Sequence, residues 1–531
     1  MIKHATNQQS AIPLRFAPGT RVYNPQWISL AALLIAAQLR LLPLLENRFH
    51  PDEALYASFA RLIVSGRDPL LSSVIVDKPP LSFYLTALSF SLLGSTEFAA
   101  RLPNFYASLL SLALLFALAR RLYDLSTADL ATWILALSPF SILFSITVFI
   151  DPLLTLFVLW GLWAVLTRQP RAAGLTLALA FATKQTALLF LPLAVGLMLL
   201  TLPPSTTPLL AFHQVVSALR PILIGLIVAT LVIFSWDALR HAPVGFWQQG
   251  YTDNVPSRLA RSTEVWPRAL AWLDLLHYFT ASRLLNALFI LGLPVLISYD
   301  LRHASLTTFA DLIFLAYLLL YLAGYWLLAF NIWDRYLLPV LPLLALLLSR
   351  IAVGGWRLVV GLWRIADRRW RMADRFRPLS HEAVLRLFSF FLLPSSFILL
   401  VLPSALTASH SGYPIGGDHG AYDGIDDAER FIRTLPYGGV LYDHWLNWEW
   451  SFYLFDGPLY ISWFPSPEIL TTDLLSFGHT SPRYLAVPAW ESDAEVRAAA
   501  EQAGFKFISV YTAHRRDGSV SLTVYQLAPT P

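Results

Sequence analysis

Two adjacent acidic residues, Asp52 and Glu53, follow the first long apolar segment of the chain, in the stretch HPDEALYASFARLIVSG. Pro51 suits the first position of a helix, so both acids would occupy its first turn, with Gly66 as its end. The helix dipole stabilises negative charge there and keeps the carboxylates ionised. An ionised carboxylate so placed could act as a general base toward a hydroxyl or an amine. The same residues could equally be an ordinary helix start.

A third acid, Asp151, follows a long apolar segment and precedes a proline in the stretch TVFIDPLL. By itself it could be a routine helix start. On the same side of a membrane as Asp52, however, it would place two carboxylates at one surface, and ionisable groups brought together in this way are candidates for catalysis.

Lysine is scarce, with four residues in the whole chain, so the position of each one is informative. Lys78 lies in DKPPL and Lys184 in FATKQTALL. A lone lysine at a membrane boundary is usually an anchor whose ammonium reaches the interface. Two lysines on one face also suit the binding of a lipid phosphate by compact positive charges.

Other basic residues could complete a phosphate site, although each could equally pair with an acid or an anionic lipid. These candidates are Arg258, Arg261 and Arg335. Aromatic residues in the same loops are more typical of the interfacial belt of a membrane protein than of sugar stacking. They include Trp247, Tyr251, Trp266, Trp333 and Tyr336.

The composition excludes a single soluble core. Charged residues make up 14% of the chain and the mean hydropathy is +0.56, whereas about 25% charged residues is typical of soluble domains. The sequence therefore predicts a mainly α-helical, polytopic membrane protein with membrane lipids around it and no nucleic-acid partner. Since cysteine is absent, disulfides and thiolate metal sites are excluded.

The distribution of arginine predicts the topology, because basic loops favour the cytoplasmic side. The stretch 350–377 carries eight arginines and should be cytoplasmic, as should the turn at Arg120 and Arg121. With the N-terminal segment 1–25 inside, this requires that 79–94 does not cross and that 172–201 crosses twice as a hairpin. The result is about eleven transmembrane helices, with juxtamembrane helices in the first outer loop and Lys184 at the tip of the hairpin.

The predicted organisation has three parts. A cytoplasmic segment covers 1–25 and a transmembrane domain covers 26–408. A soluble α/β domain on the extracytoplasmic side covers 409–531, where GGVLYDH, RYLAVP and FKFISVY suggest strands and ESDAEVRAAAEQAG a helix. The outer loops of the transmembrane domain are 46–100, 237–282 and 331–335.

Three consecutive stretches together resemble a known family. They are PDEALYASFARLIVSGRDP, DKPPLSFYLTALSFSLLG and STEFAARLPNFYASLLSLALLFALARRLY. This order is similar to that in the GT-C class of glycosyltransferases that use polyprenyl-phosphate sugars. Within the class it is most similar to the dolichyl-phosphate-mannose-protein mannosyltransferases and the lipid A aminoarabinose transferases.

The resemblance implies a role for each candidate residue. Asp52, with Glu53 beside it, would be the catalytic aspartate of the first outer loop, and Asp151 the second aspartate of the cavity. Lys78 and Lys184 would bind the lipid phosphate, and Arg258 or Arg261 would match a basic residue of the large later loop.

The implied activity is inverting transfer of a sugar from a polyprenyl-phosphate donor to a hydroxyl or amine of a protein, lipid or envelope glycan. An aspartate would be the base, at the outer face of the plasma (inner) membrane. No cofactor is required, since the lysines can balance the charge of a leaving monophosphate, although a divalent metal is compatible with the class.

The main alternative is a transporter or lipid flippase. Such proteins place charges along a path near the membrane midplane and often contain inverted repeats. Here the candidate charges gather at one face and the sequence shows no inverted repeat, which favours the transferase.

Overall fold

A computed structural model describes residues 26–203, 206–254, 258–302, 305–371 and 397–530. The predicted cytoplasmic segment 1–25 and the start of the last predicted membrane segment, 384–407, lie outside these ranges. Most of the described chain before residue 410 is helical. The first ten helices are α1 Gln26–Glu46, α2 Pro51–Val64, α3 Leu81–Leu93, α4 Glu97–Leu122, α5 Leu125–Leu137, α6 Pro139–Ser145, α7 Asp151–Leu166, α8 Pro170–Thr183, α9 Leu191–Leu200 and α10 Pro208–Arg240.

Six further helices complete this part, and two short 3₁₀ helices precede α9 and α15. The six are α11 Phe246–Asn254, α12 Ser262–His277, α13 Arg283–Arg302, α14 Leu306–Leu327, α15 Leu341–Arg371 and α16 Phe397–Ser409. The 3₁₀ helices are Gln185–Phe190 and Asp334–Val340.

The helices are long and apolar enough for a multi-pass membrane protein. Among the described residues, six helices could cross a membrane, and seven if the bent pair α5 and α6 forms one span. Four shorter apolar helices, of 10–17 residues, accompany them. The membrane character predicted from composition is thus confirmed, whereas the number of eleven spans stays a prediction.

The predicted hairpin over 172–201 is present, with its break at Lys184. Lys184 has extended backbone angles, φ −154° and ψ 136°, between α8 and the following 3₁₀ helix. Arg168, before α8, donates a hydrogen bond to the carbonyl of Thr201, directly after α9. The two ends of the hairpin that are far from Lys184 therefore lie together, so Lys184 is at its tip.

The apolar segment 128–150 is not one continuous helix. It bends by 59° between α5 and α6, because Pro139 has no N–H to donate and forces Ser138 into an extended conformation. Buried Arg40 of α1 donates to the carbonyl of Ala136 at 3.1 Å and so satisfies an acceptor near the break. The chain then leaves helical geometry before α7 begins at Asp151.

Helices α8 and α10 approach each other closely at two glycines. A Cβ atom on Gly174 would lie 2.4 Å from the carbonyl oxygen of Pro221, and one on Gly225 would lie 2.5 Å from the oxygen of Gly174. Both neighbours are backbone atoms, so a larger residue can be accommodated only if the helices separate.

Gly174→Ala should therefore lower the free energy of unfolding by about 1–3 kcal/mol, the usual cost of overpacking. Denaturant unfolding followed by tryptophan fluorescence measures the effect. Gly324→Ala is the matched control, because a Cβ atom there meets nothing within 4 Å. Equal stability of the two variants would contradict the close helix contact.

The chain after α16 forms a mixed five-stranded sheet with helices. The strands are β1 Val440–Asp443, β2 Tyr460–Trp463, β3 Arg483–Pro488, β4 Phe505–His514 and β5 Val520–Pro529, in the order β2-β1-β3-β5-β4. The pairs β1–β2 and β1–β3 are parallel, and β3–β5 and β4–β5 are antiparallel. The helices are α17 Ile425–Ile432, α18 Asn447–Tyr453, α19 Pro467–Phe477 and α20 Ala494–Gln502.

This domain has an apolar core of its own. Buried side chains from the strands and from α19 and α20 form it, among them Tyr442, Leu470, Leu485, Phe505 and Leu527. The predicted α/β domain is thus confirmed, with β1, β3 and β4 at the three predicted strands. Strands β2 and β5 were not predicted; β2 has four residues, none of them buried, and so lacks the apolar pattern of a core strand.

The domain packs against the helical part along α2. The backbone N–H of Phe49 donates to the hydroxyl of Tyr453 at 3.1 Å, and Arg61 donates to the carbonyl of Phe452 at 2.6 Å. Asn47 also donates to the hydroxyl of Ser411 at 2.7 Å. Helix α2, which carries two predicted site residues, is therefore held by both parts of the protein.

Candidate active site

Two acid–cation pairs come from four separate elements. Arg335, in the second 3₁₀ helix, donates to Asp52 Oδ2 at 2.5 Å, although 283 positions separate the two residues. Lys184, at the hairpin tip, donates to Asp151 Oδ1 at 2.6 Å. The two pairs lie close to each other, because Lys184 of one pair contacts Tyr336, the residue that follows Arg335 of the other pair. The ring centroid of Tyr336 lies 4.8 Å from Lys184 Nζ. The structure thus brings four of the predicted site residues together.

Asp52 lies in the first turn of α2, as predicted. Pro51 is the first helical residue, and the ring of His50 before it accepts a hydrogen bond from the backbone of Asp52 at 3.3 Å. The helix ends at Val64, slightly before the predicted stop at Gly66, which has φ +71°. The carboxylate of Asp52 is 36% exposed and therefore accessible to an acceptor.

Asp151 begins α7 and is nearly inaccessible, with a side chain 1% exposed. Its Oδ1 accepts from Lys184, whereas its Oδ2 is buried with no hydrogen-bond partner among the residues that the structure describes. A buried carboxylate paired on one side is a strong electrostatic anchor for a cation, because low dielectric strengthens the attraction. Asp151 therefore fixes the ammonium of Lys184.

Arg335 is held between aromatic rings. Its guanidinium carbon lies 5.4 Å from the ring centroids of both Phe149 and Trp333. Trp333 and Tyr336 thus contact the cations of the site, and the interpretation that assigned them to the membrane belt stays a prediction. Trp266, by comparison, is 67% exposed, as a belt residue should be.

Lys78 has its own acidic neighbour. It forms an ion pair with Asp77, whose carboxylate also accepts from Asn254 of α11 at 3.1 Å. Burial alone would raise the pKa of Asp77, but the charge of Lys78 and the hydrogen bond from Asn254 hold it below its usual value. The Lys78 side chain is 7% exposed and lies within electrostatic range of Lys184. The two predicted lysines therefore belong to one site.

Tyr56 was not predicted as a site residue. It lies one turn after Asp52 on α2 and is 5% exposed. Burial raises the pKa of Tyr56 well above its usual range, and the charge of Asp77 adds to the shift, so the hydroxyl stays protonated. The i to i+4 spacing from Asp52 places both side chains on one helix face and was the available signal in the sequence.

Glu53 has a different set of partners, and its contacts position the helix. Arg101 donates to both of its oxygens, at 2.9 and 3.2 Å, and the backbone of Val148 and of His50 each donate at 3.1 Å. The Glu53 carboxylate is fully buried. Because all of these contacts are structural, the geometry does not support the prediction of a catalytic role for Glu53.

Arg258 and Arg261 lie apart from the two pairs. Arg258 forms an exposed bidentate pair with Glu264, at 2.7 and 2.9 Å, and the backbone of Arg261 donates to the same carboxylate at 2.9 Å. Within the described ranges, no contact joins either arginine to Asp52 or Lys184. Their predicted role in phosphate binding thus gains no support from the structure.

The C-terminal α/β domain adds buried acids near the site. Both carboxylate oxygens of Glu449 in α18 are buried and lack a hydrogen-bond partner in the described parts of the chain. Burial raises the pKa of Glu449 to about 8, and the charges of Asp443 and Asp418 contribute. Glu449 is therefore mostly uncharged at neutral pH, and it lies within electrostatic range of Asp52.

Comparison with known families finds a match within the first half of the chain. Residues 77–235 match the model of the dolichyl-phosphate-mannose-protein mannosyltransferase family. A curated relative from Proteus mirabilis, undecaprenyl phosphate-alpha-4-amino-4-deoxy-L-arabinose arabinosyl transferase 2, is 30% identical over 164 residues. Its counterpart from Pectobacterium carotovorum is 29% identical over 234 residues. The matches span 28% and 40% of this chain, and 30% and 40% of those relatives' own lengths.

Solved structures share the fold over nearly the whole chain. ArnT from Cupriavidus metallidurans bound to undecaprenyl phosphate has a TM-score of 0.64 at 15% identity, covering 95% of this chain and 98% of that one. The Archaeoglobus fulgidus oligosaccharyltransferase in the apo form has a TM-score of 0.52 at 13% identity, over 94% of this chain and 74% of that one. The resemblance predicted from the sequence is confirmed: part of the chain is similar in sequence to the mannosyltransferase family model and to the aminoarabinose transferases, and the chain shares the fold of ArnT.

Proposed function

We propose that the protein is an integral-membrane glycosyltransferase that moves a sugar from a polyprenyl phosphate to a hydroxyl or amine. The observation that carries the proposal is the pairing of two carboxylates with two cations at one end of the helical part. Asp52 pairs with Arg335 and Asp151 with Lys184, at 2.5 and 2.6 Å. This set provides both a base for an acceptor and positive charge for a phosphate.

The donor class follows from the comparisons together with this charge. The curated relatives are named for undecaprenyl phosphate-linked aminoarabinose, and the similar ArnT structure holds undecaprenyl phosphate. A polyprenyl-phosphate sugar is therefore the proposed donor. The acceptor is a protein, lipid or glycan of the cell envelope.

In the proposed reaction, Asp52 takes the proton of the acceptor hydroxyl or amine as that atom attacks the anomeric carbon. The bond between this carbon and the phosphate oxygen breaks, and the electron pair leaves with the polyprenyl phosphate. One displacement inverts the configuration at the anomeric carbon. Asp52 later releases its proton to solvent.

We propose that side-chain cations balance the charge of the leaving phosphate. Lys184 and Lys78 offer ammonium groups and Arg335 a guanidinium, and preorganised charges of this kind stabilise developing negative charge. The side chains of Lys184 and Lys78 are buried, which strengthens the effect.

Transfer should accordingly persist in EDTA. A complete loss of transfer that added Mg²⁺ or Mn²⁺ restores would instead assign the balancing of the phosphate charge to a metal ion.

The proposed location is the outer face of the plasma membrane. Helix α4 begins near the site, where Arg101 contacts Glu53, and ends at Arg120 and Arg121. By the positive-inside rule the arginine end is cytoplasmic, so the site lies at the other face. The soluble domain packs against α2 and lies on that same outer side.

Lys184→Ala should lower sugar transfer per folded protein roughly ten- to hundredfold, since a lost charge-assisted hydrogen bond costs about 1.5–3 kcal/mol. The folded fraction is measured separately by tryptophan fluorescence, because the variant also leaves buried Asp151 without its cation. The measurement uses proteoliposomes, a panel of radiolabelled polyprenyl-phosphate sugars and total envelope acceptors. Lys506→Ala is the matched control, because Lys506 is exposed in β4, and it should transfer like the wild type.

Absence of wild-type transfer from every donor, together with movement of a labelled lipid or solute across the bilayer, would contradict the transferase and favour a transporter. Equal losses in the two lysine variants would contradict the assignment of Lys184 to the phosphate.

A further inference from the structure

In the structure, each of the two cations Arg335 and Lys184 is paired with a carboxylate. Arg335 donates to Asp52 Oδ2 at 2.5 Å, and Lys184 donates to Asp151 Oδ1 at 2.6 Å. The formal charges of the four side chains cancel. A phosphate that binds Arg335 must therefore compete with Asp52, the same group that the proposed reaction needs as a base.

The two pairs differ in how easily they can separate. Asp151 and Lys184 are both almost fully buried, with side chains 1% and 4% exposed. Asp52 is 36% exposed, whereas Arg335 is 15% exposed and confined by the rings of Phe149 and Trp333. Asp52 is thus the most accessible of the four groups, and water can solvate its carboxylate when the pair opens.

We propose that the donor phosphate displaces Asp52 from Arg335, so that Asp52 becomes available as a base after the donor has bound. This inference rests on the proposed function and adds an order of events to it: the donor binds before Asp52 can act as a base. Guanidinium groups bind phosphate oxygens in a bidentate geometry, which makes the phosphate an effective competitor for Arg335. The Lys184–Asp151 pair stays closed and holds the second cation in position.

The charges of the site balance through the reaction in this scheme. The bound donor is a phosphodiester and adds one negative charge to the four side chains. Bond cleavage turns it into a monoester with a charge near −2. At the same step Asp52 takes up the acceptor proton and becomes neutral, so the total charge of the site stays constant. A buried site avoids the cost of an uncompensated charge in this way.

The test is a double-mutant cycle on the binding of undecaprenyl phosphate to the full-length protein in detergent micelles. Asp52→Asn should bind this probe about tenfold more tightly than the wild type, since the phosphate no longer displaces a carboxylate. In the Arg335→Gln background, the same Asp52→Asn change should raise affinity less than threefold. The coupling between the two substitutions is the quantity that reports the competition.

Asp253→Asn is the matched control for charge alone. Asp253 lies on α11, and its carboxylate accepts a hydrogen bond from Gln249 at 2.8 Å. Its replacement should change affinity less than threefold. Unfolding of each variant, followed by tryptophan fluorescence, shows whether it is folded.

An unchanged or weaker affinity of Asp52→Asn would overturn the exchange, and so would an equal gain with and without Arg335. These outcomes are independent of the transfer assay. Transfer without the predicted coupling would support the proposed transferase and contradict the exchange. Coupling without transfer from any donor would support the exchange at a phosphate site and contradict the proposed reaction.

Discussion

Replacing Asp52 with asparagine should slow sugar transfer by roughly 10²–10⁴-fold, the usual contribution of a general base. The amide keeps the size of the side chain but cannot take up the acceptor proton. The donor should still bind, because Lys184 and Arg335 remain in place. Single-turnover transfer in proteoliposomes, measured with saturating donor, separates the chemical step from binding.

Asp253→Asn provides the control for this experiment. Asp253 lies on α11, where it accepts a hydrogen bond from Gln249 at 2.8 Å, and it has no contact with Asp52 in the described structure. It should transfer at the wild-type rate. If Asp52→Asn kept more than a tenth of the wild-type rate, Asp52 would not be the base, and Asp151, with its unpaired Oδ2, would be the next residue to replace.

Replacing Arg101 with methionine should destabilise the protein by about 3–5 kcal/mol, because it leaves a buried carboxylate without its cation. Arg101 is 1% exposed and Glu53 is fully buried. Arg101 also donates to the carbonyls of Asn47 and Arg48, both at 2.7 Å, so the turn before α2 loses its support as well. The free energy of unfolding, from denaturant titrations followed by tryptophan fluorescence, measures the change.

The double variant Glu53→Gln/Arg101→Met tests the reason for this loss. It removes the uncompensated charge, so it should recover a substantial part of the stability that Arg101→Met loses. A double variant as unstable as the sum of both single variants would show that packing, rather than charge, sets the cost. Arg67→Met is a useful comparison, since its pair with Asp456 is more than half exposed and should contribute at most about 1 kcal/mol.

Local signals and charge distribution predicted much of the architecture. Proline and acids at the start of α2 predicted the helix that carries Asp52, and the arginine pattern predicted the hairpin that has Lys184 at its tip. Short apolar stretches, interpreted as buried strands, predicted three of the five strands. The helix start and the strands depend on residues close together in the chain, and the hairpin depends on the composition of whole loops, so none of these predictions needs a long-range contact.

Contacts between distant positions were not predictable in the same way. Arg335 was a candidate for the phosphate, but its pairing with Asp52 depends on how the second 3₁₀ helix packs against α2. The structural role of the buried Glu53 carboxylate depends on Arg101, which lies 48 positions further along the chain, on α4. The acid Glu449 had no sequence signal, because its burial in α18 is a property of the folded chain.

The C-terminal α/β domain cannot be treated as an independent module in protein engineering. Its loop donates from the backbone of Gly416 to Asp334, next to Arg335, and a side chain on Gly417 would meet the carboxylate of Glu53. Tyr453 of α18 accepts from Phe49, just before α2. A chimera that takes this domain from a relative should therefore inherit α2 and the turn at Asp334 from the same parent.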